Sequence, residues 1–311
     1  DKYVSGKIVL TEPIFSSSTK SIYTVARVDI AAEKGAIGLI NSRETRGPID
    51  TKPAHRFGTP IPCIQISFDD FTYLTGLMRF GPVRARMEVD TSLGKGKTEN
   101  VMGVLRGKEE PDELVIVCAH HDANPGQAAD DDGAGVAVTL QIAKAVSRCK
   151  PKRSIGFLFP TGEEGGQFGS QDFVYDTHKD EIKNIKALIN LDSIGVGPRL
   201  RIIEDNIKYY YGHRPGNPYK TTKWLDDFII RTADELGYKV EAGASCHCNA
   251  DEGAFIEKGV AATWLAKFEP TYYHTLEDTI DKLDLNGLKV VADIVATCVW
   301  RLANAERIPP Y

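Results

Sequence analysis

The sequence predicts an α/β protein: a mostly parallel mixed sheet flanked by helices, preceded by a smaller α/β unit. Three observations carry this. From residue 98 onward, short and nearly continuous apolar runs alternate with segments of helical periodicity. Strands apolar on both faces are strands covered by helices on both sides. The first ninety-odd residues show a shorter version of the same alternation, and residues 91–97 (Thr-Ser-Leu-Gly-Lys-Gly-Lys) read as a linker. A chain of 311 residues is long enough for two domains, so we divide it as 1–95 and 96–311.

In chain order, residues 6–10 (Gly-Lys-Ile-Val-Leu) predict a strand, and 22–34 a helix ended by Gly35. Residues 36–40, 61–66 and 84–89 predict strands, and the turn formers between Arg43 and Pro60 a long surface loop. In the larger part, strands are expected at 101–105, 114–119, 155–159, 187–191 and 261–265. Helices are expected at 133–146, near 170–176, at 223–236 and at 285–304. Residues 205–222, with Tyr209, Tyr210, Tyr211, His213 and Arg214, read as a long insertion whose aromatics either wall a pocket or decorate a surface loop.

Composition removes several function classes. Net charge is −5 and pI near 5.9, which offers no basic footprint for nucleic acid or an anionic membrane. No apolar run reaches membrane-spanning length. The first residues show no signal-peptide pattern and no initiator Met, which suggests a processed or trimmed product. Six cysteines are too sparse for a disulfide framework; Cys118 and Cys298 sit in apolar contexts and read as buried thiols.

The chemistry is concentrated where predicted strands end. In an open α/β sheet, ligands bind outside the carboxyl ends of the strands. The apolar run at 114–119 is followed by His120-His121-Asp122, that at 155–159 by a turn with Gly162-Glu163-Glu164-Gly165, and that at 187–191 by Asp192. Asp130-Asp131-Asp132 precede a helix, and His274 lies in Tyr272-Tyr273-His274-Thr275. Each cluster has an ordinary reading. The aspartates suit a helix N-terminus, the paired glutamates a solvated turn, and His-x-Asp a surface pair. Taken together at strand ends, they read as a site. So many carboxylates repel one another unless cations neutralise them. Two divalent ions about 3.5–4 Å apart would do so and also activate a water. Mixed imidazole and carboxylate donors suit zinc, and adjacent glutamates allow one metal ligand and one general base.

These segments resemble peptidase family M28 over residues 98–311, through Ala119-His120-His121-Asp122, Ala129–Gly135, Gly162–Gly165, Asn190-Leu191-Asp192 and Tyr273–Thr279. The first ninety-odd residues resemble a protease-associated (PA) domain in 4–10, 33–38 and Ile61-Pro62. The resemblance implies a metallopeptidase holding two Zn²⁺ ions per chain. His120 and Asp192 would bind one ion, Glu164 and His274 the other, and Asp131 would bridge them. Glu163 would be the general base on the bridging water, Asp122 would orient the His120 ring, and Tyr273 would stabilise the oxyanion. Oxygen-rich ligation is also compatible with cobalt or manganese.

The implied reaction is hydrolysis of the N-terminal peptide bond of peptides, with the substrate amine near Glu163 and Asp192. A carboxypeptidase or dipeptidase is the alternative and needs a cationic clamp, for which Arg199, Arg201 and Arg214 are the candidates. A glutaminyl-cyclase-like transferase and a non-catalytic peptidase-like ectodomain are weaker readings. Partners are therefore peptides with a free N-terminus, and the company PA domains keep suggests a secreted or cell-envelope location, with the cytoplasm as alternative. The sequence departs from the family pattern at Ala119, Gly162 and Ala250-Asp251-Glu252, the last bordering the substrate site. Cys246-His247-Cys248 invites a third metal site, but alternating residues on a strand do not all face one ion.

Overall fold

The computed structural model describes residues 3–13, 24–43, 45–47, 58–92, 94–124, 126–210, 214–245, 249–267 and 271–309. The leading part holds a three-stranded parallel sheet in the order β1 (Ile8–Thr11), β2 (Gly38–Ser42), β3 (Cys63–Ile66). Helix α1 (Thr24–Glu33) connects β1 to β2, as a parallel crossover requires. Helix α2 (Phe68–Met78) follows β3, with the Ser67 hydroxyl accepting from the Asp70 amide at 3.1 Å. Val28, Ala31, Ala36 and Leu39 form the small core. Residues 84–89, expected as a strand, form no regular element. That segment is rich in arginine and mostly exposed, so it has no apolar face to bury against the sheet.

The larger sheet is built on β4 (Val101–Leu105), β5 (Glu110–Cys118), β6 (Arg153–Phe159), β7 (Ile185–Leu191), β8 (Arg201–Tyr210), β9 (Arg214–Lys220), β10 (Glu241–Ser245) and β11 (Ala262–Ala266). Its order is β10-β8-β11-β7-β5-β6-β4, with β9 paired to β8. The four central strands β11, β7, β5 and β6 are mutually parallel, whereas β4 and β8 join antiparallel. The insertion at 205–222 is thus largely a hairpin of β8 and β9 and not a loop. Tyr211 and His213, and the Cys246-His247-Cys248 segment, lie outside the described residues.

Alternation along the central strands divides the core into two layers. Val115, Val117, Ile155, Phe157, Ile189 and Leu191 face helices α3 (Gly135–Val146), α5 (Lys223–Glu235) and α7 (Leu285–Asn304). Ile116, Cys118, Leu158 and Leu188 face the other side, against Phe173, Val174 and α6 (Glu252–Glu257). A short helix, α4 (Phe168–Asp172), leads into that second layer. Each fully buried Leu, Ile or Phe contributes about 1.5–3 kcal/mol. Cys118 and Cys298 are buried, as their apolar surroundings require.

Candidate metal centre

Register brings the first residues together. Cys118 on β5 pairs with Asn190 on β7, so His120 and Asp192 leave the sheet side by side, each two residues past that rung. On the other flank of β5, Cys118 pairs with Leu158 of β6, which delivers the turn carrying Glu163 and Glu164. β11 pairs with β7 through Trp264 and Asn190, and the chain leaving its end leads to His274. Four adjacent parallel strands thus supply the whole constellation from one sheet edge.

Asp131 sits at its centre. Its Oδ1 is 3.0 Å from His120 Nε2, and its Oδ2 is 2.9 Å from His274 Nε2. His274 Nε2 also lies 3.2 Å from Glu164 Oε2. His120, Asp131 and Asp192 place donor atoms within 4.8 Å of one another, and so do Asp131, Glu164 and His274. The two groups share only Asp131. His274 Nε2 is buried and makes no well-aligned hydrogen bond although two carboxylates lie against it. Such a nitrogen, in a pocket of anionic oxygens, is what a divalent cation would satisfy, and mixed N and O donors fit zinc.

The three aspartates have three different tasks. Asp130 Oδ1 accepts from the Gly195 and Val196 amides, tying this turn to the loop after β7. Asp132 Oδ1 accepts from the Gly135 amide at 3.0 Å, so the capping reading holds for this one residue. Its carboxylate occupies the space that a Cβ on Gly135 would need. Asp131 alone points between the histidines, with non-helical torsions of φ −115° and ψ 88°. Asp278 clamps the turn from outside, accepting from the Asp130 amide at 2.8 Å and the Asp131 amide at 3.2 Å.

Asp122 supports two elements at once. Its main-chain oxygen lies 2.9 Å from His120 Nδ1, and its carboxylate 3.5 Å from the same nitrogen. That carboxylate accepts from the amides of Glu163 at 3.0 Å and Glu164 at 3.3 Å. Gly162 opens this turn at φ +67°, a conformation L side chains rarely adopt. Among the described residues, four non-glycine residues have positive φ: Ala128, Gln167, Ser193 and His274. All four lie in or beside segments carrying the site, where a protein concentrates backbone strain.

Electrostatics follow the packing. Burial, and then the Asp131 charge, push the Asp192 carboxyl well up. Burial also acts to raise Asp131, but hydrogen bonds with His120 and His274 overcome it and hold this carboxyl far below the usual range. Burial disfavours a charged His120, yet its bonds to Asp122 and Asp131 raise the ring's pKa well above normal. Tyr273 stacks on His274, ring centroids 3.8 Å apart. Burial, then the charges of Asp131 and Glu164, keep its hydroxyl protonated and able to donate.

All eight residues expected at the site therefore lie in this one region. Sequence reasoning missed others. Gln167 donates to Glu163 Oε1 at 2.6 Å and accepts from Asn249 at 2.6 Å. Arg43, from the leading unit, reaches His274 Nδ1 at 3.3 Å. Only Asp278 carried a local signal, four residues past His274 within the Tyr273–Thr279 segment. Of the arginines considered as a clamp, Arg199 and Arg201 face Glu241 at 3.2 and 3.5 Å.

Comparison with known proteins bears on the family and on the fold. The sequence model of peptidase family M28 matches residues 100–299. The chain is 25% identical to aminopeptidase YwaD of Bacillus subtilis over 319 residues, covering 98% of this chain and 64% of that protein. It is 35% identical over 251 residues to a "Probable zinc metalloprotease" of Pyrenophora tritici-repentis, covering 67% and 58%. It thus spans less than two thirds of either relative. Among solved structures, a zinc aminopeptidase from Bacillus subtilis superposes with a TM-score of 0.74 at 18% identity, covering 99% of this chain and 73% of that one. The M28 peptidase precursor of Shewanella amazonensis gives 0.68 at 23% identity, covering 90% and 64%. At such identities these likenesses bear on the fold, which is the mixed sheet with flanking helices described above.

Proposed function

From the premise that the chain belongs to peptidase family M28, we propose that it is a two-zinc aminopeptidase cleaving the N-terminal peptide bond of peptides. The observation that carries this reading is the pair of three-residue donor groups sharing Asp131. One zinc ion would rest against His120 and Asp192, the other against Glu164 and His274, with Asp131 common to both.

Bound zinc would polarise the scissile carbonyl and make water acidic enough to attack at neutral pH. The chain's own groups do the rest. Glu163 takes a proton from the attacking water and returns it to the amine nitrogen as the C–N bond breaks. Tyr273 donates to the oxygen that becomes negative. Glu163 and Asp192 favour an ammonium, which orients a free N-terminus. Asp122 holds both the His120 ring and the Glu163–Glu164 backbone, so base and ligand keep a fixed separation. Residues 1–95 form an accessory PA domain, and the location is secreted or cell-envelope.

Turnover of short peptides that are free, N-acylated or C-amidated tests this. An aminopeptidase cleaves the free and C-amidated peptides and spares the N-acylated one. The opposite dependence would establish a carboxypeptidase, a reading favoured by one observation, the Arg43 guanidinium beside His274. Glu163→Gln should keep its zinc and lose turnover by about 10²–10⁴-fold.

A further inference from the structure

The turn that carries the glutamate pair closes on itself. The amides of Gly166 and Gln167 both donate to the Glu163 carbonyl oxygen, at 2.6 and 2.9 Å. Gln167 takes up φ +56° there, and Ser170 Oγ donates to its carbonyl oxygen. The result is a buried Gln167 side chain, 8% exposed, folded back so that its Nε2 lies 2.6 Å from Glu163 Oε1. Its other end lies 2.6 Å from Asn249 Nδ2, contributed by a segment 82 residues further on.

The direction of this chain is fixed by chemistry. An ionised carboxylate only accepts, so Gln167 must present its NH₂ to Glu163. Its carbonyl oxygen then faces Asn249, which must donate through Nδ2. Each amide has one orientation that satisfies both neighbours, and the Glu163 anion selects it. A surface glutamine would not need this double restraint, and a long flexible side chain loses rotamer entropy by accepting it.

We propose that Gln167, locked by Asn249, is the positioning residue that fixes the plane of the Glu163 carboxylate. The inference rests on the reading of Glu163 as general base. Oε1 accepts a short amide hydrogen bond, which holds the carboxylate in one orientation as it takes the proton from water. The water oxygen bonds to the scissile carbon, the same proton passes from the Glu163 carboxyl to the amine nitrogen, and the C–N bond breaks. The second water proton leaves with the carboxyl product. A carboxylate free to rotate about its terminal torsion would spend much of its time facing the wrong way.

The test uses the zinc-loaded full chain and a free tripeptide. Gln167→Met keeps length and apolar volume but removes both hydrogen bonds; kcat should fall about 10-fold or more, with KM within about 2-fold and zinc content unchanged. Asn249→Asp replaces the donor by an acceptor, which turns the Gln167 amide so that its oxygen meets Glu163, and should lower kcat in the same way. It also serves if Gln167→Met does not fold. Adding Gln167→Met to Glu163→Gln should cost nothing further, because there is no base left to orient. Unchanged kcat in both single variants, a loss confined to KM, or a full extra loss in the Glu163→Gln background would overturn the proposal. If Glu163→Gln itself retains full turnover, the underlying reading of the base fails instead.

Discussion

Arg43 Nη2 lies 3.3 Å from His274 Nδ1, so a residue at the end of β2 touches the ring of a candidate metal ligand 231 positions away. The Arg43 amide donates to the Ile66 carbonyl at 2.9 Å, which anchors the arginine to the parallel sheet of the leading unit. That unit is therefore physically part of the site's wall. A guanidinium only donates, so one held against His274 would attract anionic oxygens of a substrate bound there.

Arg43→Ala should accordingly lower kcat/KM most for short peptides ending in a free carboxylate. A charge-assisted hydrogen bond is worth about 1.5–3 kcal/mol, or roughly 10–100-fold. C-amidated versions of the same peptides should lose much less. Equal losses on both would show that Arg43 acts through the His274 ring and not on the substrate, and Arg43→Lys would then leave both substrates impaired.

The aspartate triplet offers a second test, because its members are adjacent but differently employed. Asp131→Ala should lose both ions on metal analysis. Asp132→Ala should keep both and lower stability by about 0.5–2 kcal/mol through loss of the bond to the Gly135 amide. Retention of two ions by Asp131→Ala would show that the shared ligand lies elsewhere in the triplet.

Asp131 stands out from its two neighbours in the sequence only through the resemblance of its segment to the family motif, whereas the rest of what the sequence shows, and its silence on Arg43, is a matter of locality. The central strands and α3, α5 and α7 announce themselves because apolar runs and helical periodicity are local consequences of burial. The polar clusters stand out because they interrupt such runs at strand ends. β9, Arg-Pro-Gly-Asn-Pro-Tyr-Lys, is a paired strand without any such signature; its two prolines suit it to the sheet margin. α2 buries none of its residues, which leaves its periodicity without a core to define it. The contacts of Asn249 with Gln167 and of Arg43 with His274 span 82 and 231 residues, and no local pattern records a pairing across such distances.

Metal removal gives a third prediction. Without cations, Asp131, Glu164 and Asp192 crowd negative charge into one buried space, and burial already pushes Asp192 toward its neutral form. A chelator should abolish turnover and lower Tm by several degrees, since a ligand at about 1,000 times its Kd contributes about 4 kcal/mol. Back-titration with zinc should restore both, with the stability curve levelling at two equivalents per chain. A plateau at one equivalent would reduce the centre to a single ion.

Far from the site, Asp226 on α5 predicts a pH dependence of stability. It is 1% exposed, accepts from Thr221 at 2.7 Å and Thr263 at 2.6 Å, and burial, against those bonds, lifts its carboxyl to about 6. The native protein therefore binds this proton more tightly than the unfolded chain does. Its contribution to stability is full below the ordinary value near 3.8 and is lost as pH rises through 6. Asp226→Asn removes the ionisation while keeping one acceptor, and the threonine hydroxyls rotate to receive its NH₂. Relative to the wild type, this variant should gain about 2–4 °C in Tm at pH 7.5 for each kcal/mol recovered. The gain should shrink steadily between pH 6 and 4, as the native carboxyl takes up its proton. Melting curves for the two proteins across that range decide it: a Tm difference independent of pH would mean that Asp226 is not ionised under strain in the fold.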